Sequence, residues 1–150
     1  MELRKLIKEY LEENRMMQLA TSVNNQPWVC NVWYVVDEDL NIYWFSSITR
    51  RHSQELEKNN KVAGAMVIPQ TPQDKPRGLQ FQGTAHMLTD EKDVEKVISL
   101  FDGRIFDRET IKDLMAHKEK PHRFYKIEPT QFVLFDAINF PDNSRQEYNL

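Results

Sequence analysis

The sequence contains one cysteine, four glycines and no long apolar run. Cys30 has no partner for an internal disulfide, so the fold must be held by its core, and a lone cysteine in an apolar strand reads as part of that core. So few glycines exclude a dinucleotide fingerprint, and there is no Gly-rich phosphate loop, CxxC pair or Ser-His-Asp order. The opening Met1-Glu2-Leu3-Arg4-Lys5 is charged, unlike a signal peptide, and nothing has the length and apolarity of a membrane span. A cytoplasmic protein with no membrane partner is expected. An excess of positive charge is missing too. Twenty Lys and Arg stand against 23 Asp and Glu, a net charge of -3, which argues against a nucleic-acid partner. A local basic cluster can still hold one small anion.

What is present suits a soluble globular domain. The 150 residues, 40% of them hydrophobic, are enough for a single domain over 1–150 with its own core. Leu3, Leu6, Ile7, Tyr10 and Leu11 recur at helical spacing, predicting an amphipathic helix that ends near Asn14. Strands are predicted over 16–23, 28–36 and 41–47, joined by the polar turns at Asn24-Asn25-Gln26-Pro27 and Asp37-Glu38-Asp39. The second is apolar on both faces, as strands beneath a second layer are. A short helix over 53–60 and a strand of small residues over 61–68 come next, then a proline-rich loop over 69–76.

From Leu79 onward alternation is clear. Leu79, Phe81, Ala85 and Met87 are expected to face inward, Gln80, Gln82, Thr84 and His86 outward, with Gly83 at a bulge or close backbone approach. Helices over 90–101 and 108–117 precede a last strand over 123–136, interrupted at Glu128-Pro129-Thr130. Six strands with flanking helices make this a mainly β chain.

Chemistry concentrates at Ser46-Ser47-Ile48-Thr49-Arg50-Arg51-His52. Hydroxyls and basic side chains stand there between a strand end and a helix start, where free N–H groups and the helix dipole favour phosphate. Arginine adds a planar fork whose charge-assisted bonds are the strong ones. A solvated basic loop has the same composition. The aromatics Trp28, Trp33, Tyr34, Tyr43, Trp44 and Phe45 lead into this corner, as core or as walls for a flat ligand. Gln80 and Gln82 can both donate to and accept from a heterocycle edge. No metal site is expected, since His117 and His122 are five apart across Pro121 and His86 stands alone.

The order of elements resembles the pyridoxamine 5′-phosphate oxidase-like FMN-binding split barrels, and more narrowly the YhbP-like subgroup. The resemblance rests on Trp28-Val29-Cys30-Asn31-Val32-Trp33-Tyr34, Thr49-Arg50-Arg51-His52, Arg77-Gly78-Leu79-Gln80-Phe81-Gln82-Gly83 and Ile138-Asn139-Phe140-Pro141-Asp142-Asn143-Ser144. It implies a six-stranded antiparallel split β-barrel, dimeric, with FMN at the subunit interface, acting as an oxidoreductase on an unknown small substrate. It also implies flavin contacts from Asn31, Val32 and Trp33, and from Trp44, Phe45, Ser46 and Ser47. The phosphate grip maps onto Arg51 and His52 beside Arg50, and Gln80 reaches the flavin from the other subunit. The family's oxidases carry Arg-Lys at the grip, whereas His52, near its ordinary pKa of ~6.5, would make phosphate binding pH-sensitive. Arg145 lies in a different context from the oxidases' C-terminal basic residues, so their substrate is not carried over. No residue demands a catalytic role, although His86 and Tyr34 are conceivable helpers. Two alternatives stay open: a flavin carrier without turnover, and a haem-binding barrel with His52, His86 or His122 as axial ligand.

Overall fold

The computed structural model describes residues 2–150. Its elements are α1 (Leu3–Glu13), β1 (Met16–Val23), β2 (Gln26–Val36), β3 (Ile42–Ser47), α2 (Arg51–Lys58), β4 (Lys61–Met66), β5 (Arg77–Met87), α3 (Glu91–Phe101), α4 (Arg108–Met115), β6 (His122–Asp136) and β7 (Arg145–Asn149). All pairings are antiparallel. The strand order is β3-β2-β1-β4-β5-β6-β7, and an added β3–β6 pairing closes the first six strands into a barrel.

The barrel is split because β6 serves two partners along one edge. Its first half, His122 to Ile127, pairs with β3, while Gln131 to Phe135 pairs with β7. Its other edge pairs with β5 throughout, except for a register shift between Gln82 and Gly83. The predicted interruption at 128–130 is therefore a bulge within one long strand. Glycine is required at 83, because a Cβ there would stand 2.4 Å from the Glu128 carbonyl oxygen and 2.8 Å from Pro129 Cα.

Two apolar clusters explain the strands that are apolar on both faces. Ile42 and Trp44 point into the barrel, where the Trp44 and Tyr125 rings stack at 5.0 Å. Tyr43 and Phe45 point the other way, joining Phe124 and Phe101 under α3 and α4. Each such side chain contributes about 1.5–3 kcal/mol when fully buried. Asn24 and Asn25, with φ of 53° and 63°, form the tight β1–β2 turn that needs two left-handed residues. Asp90 caps α3 by accepting from the amides of Lys92 and Asp93.

Several expectations are corrected. Helix α2 begins at Arg51 rather than Ser53, because Arg50 is the extended N-cap, so Arg51 and His52 lie inside its first turn. Strand β4 stops at Met66. Met87 is 40% exposed, since β5 has run past the barrel's inner face by that point. The six-stranded barrel stands as expected, and the tail adds β7 at its edge, with Tyr148 packed against the barrel core.

Candidate functional site

Strands β2 and β3 diverge. They pair only at Tyr34–Trp44, Val35–Tyr43 and Val36–Ile42, after which β2 follows β1 and β3 follows β6. The wedge between them is a cleft of 470 Å³. Tyr34 N donates to Arg15 O at 2.9 Å, on the β1 side of the strand. Antiparallel alternation then turns the N–H and C=O groups of Asn31 and Trp33 into the wedge, away from β1. A strand edge with alternating donors and acceptors is thus one wall of the cleft.

Most of the residues predicted from sequence meet there. Strand β2 supplies Asn31, Val32 and Trp33; β3 supplies Phe45, Ser46 and Ser47; and the corner leading into α2 supplies Arg50, Arg51 and His52. Trp28, Cys30, Phe106 and His122 complete the lining. Two predicted residues lie elsewhere. Trp44 is fully buried in the barrel, so its side chain does not reach the cleft. Gln80 lies on the bare outer sheet face, in a groove shared with Gln18, Gln82, Val133 and Arg145. The conceivable helpers are also absent from the cleft. Tyr34 is buried and donates to Leu11 O at 2.7 Å, and His86 is exposed on β5 beside Glu128.

The α2 end of the cleft gathers free helix amides and basic side chains. Gln54 N is the first helix amide to find an acceptor, Arg50 O at 3.1 Å; those of Arg51, His52 and Ser53 precede it and have no helical partner. The Arg51 guanidinium lies over Trp28, 4.0 Å from the ring centroid, and its Nε donates to Glu55 Oε2 at 2.8 Å. Ser47 Oγ lies 2.9 Å from Thr49 Oγ1 and accepts from Thr49 N, and Ser53 Oγ donates to Ser47 O at 2.8 Å. These bonds hold the corner's shape without using the guanidinium of Arg50.

His52 differs from a histidine with its ordinary pKa. It is 7% exposed, with Nε2 2.9 Å from Ser46 Oγ. Burial, and then the Arg50 charge, lower its pKa from the ordinary 6.5, so the imidazole is neutral near pH 7. The expectation of a histidine near its ordinary pKa is thereby corrected: the positive charge at this corner comes from Arg50 and Arg51, and His52 pairs with a serine hydroxyl. Burial also lowers His122, which packs 5.0 Å from the Phe45 ring and has a buried Nδ1 without a hydrogen-bond partner. Cys30 is half-buried rather than core, with its thiol pushed up to about 11, so it is an unreactive wall. Among the described residues there is no cluster of three or more metal-ligating side chains, and no helix is long and apolar enough to cross a membrane.

Residues 3–135 match the family model described as pyridoxamine 5′-phosphate oxidase. The chain belongs to the pyridoxamine 5′-phosphate oxidase family. Among curated sequences, this family member is similar to a UPF0306 protein of Photorhabdus laumondii, 29% identical over 89 residues, covering 59% of this chain and 62% of that protein. The chain spans about three fifths of the length of the curated relatives it matches. Among solved structures it is similar in fold to General Stress Protein 26 of Bacillus anthracis, with a TM-score of 0.71, 17% identity and 100% coverage of both chains. It is similar also to HutZ, the haem storage protein of Vibrio cholerae, with a TM-score of 0.68, 24% identity, and 86% of this chain and 91% of that one covered.

Phe106, in the α3–α4 connection, carries no local signal for the cleft. His122, named above only as an axial-ligand candidate, opens β6, and the closed barrel brings both to the cleft.

Proposed function

We propose that this family member binds FMN in the β2–β3 wedge and acts as an FMN-dependent oxidoreductase on a small substrate, as a homodimer. The observation that carries the reading is the Arg51 guanidinium, fixed by Trp28 and Glu55 at the open amide end of α2, in the same cleft as the free edge of β2. A phosphate would take Arg51, Arg50 and the α2 amides. The flavin's pyrimidine edge, which alternates donors and acceptors, would take the backbone of Asn31 and Trp33, and Trp33 offers a ring face. Bound FMN would supply the redox chemistry, and the chain would supply grip, orientation and access.

The exposed Val29, Trp33 and Phe135 support the dimer, because a second copy would cover them and bring its own Gln80 face toward the site. Incubation with FMN followed by gel filtration tests the reading. Stoichiometric retained yellow absorption is expected, and NADH or NADPH oxidation by the loaded protein would then separate an enzyme from a carrier. A chain that elutes colourless after FMN treatment refutes it.

Haem is the second reading, favoured by the two histidines, His52 and His122, that line one cleft. A Soret band on haemin titration, lost in His122→Ala, would support haem; a titration with no shifted Soret band would remove it.

A further inference from the structure

We propose that Glu55 is the positioning residue of the anion grip and makes the site selective for phosphorylated over unphosphorylated flavin. The inference deepens the flavin reading and rests on it. Glu55 lies one helical turn after Arg51, and its carboxylate is only 12% exposed. One oxygen accepts from Arg51 Nε at 2.8 Å and the other from Thr21 Oγ1 at 2.7 Å. Thr21 is 2% exposed and sits on β1, so the carboxylate is anchored to the barrel wall as well as to its own helix. Trp28, on β2, covers the guanidinium face. Three elements thus fix one planar cation: β1 through Thr21 and Glu55, β2 through Trp28, and α2 through its backbone.

The arrangement divides labour between the two arginines. Arg50 has no carboxylate partner among the described residues and supplies charge. Arg51 has its Nε edge occupied and its face covered, which leaves the terminal nitrogens for a bidentate contact with two phosphate oxygens. An unanchored arginine would have to lose its side-chain freedom on binding, so Glu55 acts by ordering Arg51 before the ligand arrives. Its negative charge is a handicap to an anion site, and a geometric role predicts that removing the charge alone does little harm. Arg51 and Thr21 can both bond to an amide, since the threonine hydroxyl can turn and accept.

Titrations of the full chain with FMN and with riboflavin test this in the wild type, Glu55→Ala, Glu55→Gln and Thr21→Val. Glu55→Ala is expected to weaken FMN about tenfold with riboflavin little changed. Glu55→Gln should retain wild-type preference, and Thr21→Val should fall between. A ligand-free readout accompanies the titrations: acrylamide quenching of Trp28, taken as the difference between each chain and its Trp28→Phe counterpart. Glu55→Ala should expose Trp28 as Arg51 leaves its face, and Glu55→Gln should not. The proposal is overturned if Glu55→Ala keeps both the wild-type Trp28 quenching and the wild-type preference for FMN while Arg51→Ala abolishes that preference. A charge role in place of a positioning one would show as equal losses in Glu55→Ala and Glu55→Gln. If the wild type takes up no FMN, the flavin reading fails, and the quenching measurement still decides whether Glu55 holds Arg51.

Discussion

Replacing Arg51 with alanine tests the phosphate grip directly, and its two consequences separate by size. The first is structural. Arg51 forms an i,i+4 pair with Glu55 and is 46% exposed, so that pair contributes about 0.3–0.5 kcal/mol. Its contact with Trp28, itself 41% exposed, adds about 0.5–1 kcal/mol. The summed loss is small against the roughly 5–15 kcal/mol that holds a domain folded, so the variant stays native. The second consequence is in binding. A charge-assisted bond to phosphate contributes about 1.5–3 kcal/mol, so FMN affinity should fall about 10- to 150-fold. Riboflavin, which lacks the phosphate, should bind Arg51→Ala as it binds the wild type. Flavin fluorescence titrations at fixed ionic strength measure both, and circular dichroism checks the fold. Arg51→Lys should recover only part of the loss, because an ammonium keeps the charge and lacks the fork. Equal weakening of FMN and riboflavin would refute the assignment of phosphate to this corner.

Gly83→Ala should destabilise the chain by about 1–3 kcal/mol, seen as a lower midpoint in urea, because its methyl group would meet the backbone at Glu128 and Pro129, which cannot yield. Stability should also fall as pH drops below about 6.5, because His52 and His122 have lowered folded pKa values and the unfolded chain takes up their protons first. His52→Gln should flatten that slope in thermal melts across this window; an unchanged slope would contradict the burial argument. Analytical ultracentrifugation should give twice the chain mass at micromolar concentration, and Trp33→Glu, which charges the exposed face, should shift the mass toward the monomer.

Much of the fold was legible because periodicity is local. The alternation of Leu79, Phe81 and Ala85 marks β5, and Gly83 marks the irregularity on it, whereas the interruption expected at Glu128-Pro129-Thr130 is a bulge that only the β5–β6 pairing reveals. Strand β7 escaped because Arg145-Gln146-Glu147-Tyr148-Asn149 has one apolar residue, and only pairing with β6 makes it a strand. Trp44 and Phe45 show the other limit. Both belong to an all-buried run, and sequence does not say which neighbour faces the barrel and which lines the cleft. The charge state of His52 was beyond reach for a similar reason. Its burial comes from the strands and the helix that meet around it, and its residue type alone suggests only the ordinary histidine pKa.

The wedge between β2 and β3 also bears on how the protein behaves in concentrated solution. A strand edge with unpaired backbone groups reads any extended chain as readily as it reads a heterocycle. Asn31 and Trp33 present such an edge beside the exposed Trp28 and Trp33 side chains, a template for adding a foreign strand. A ligand that pairs with this edge should therefore raise solubility. The same residues that would greet it carry a standing aggregation liability.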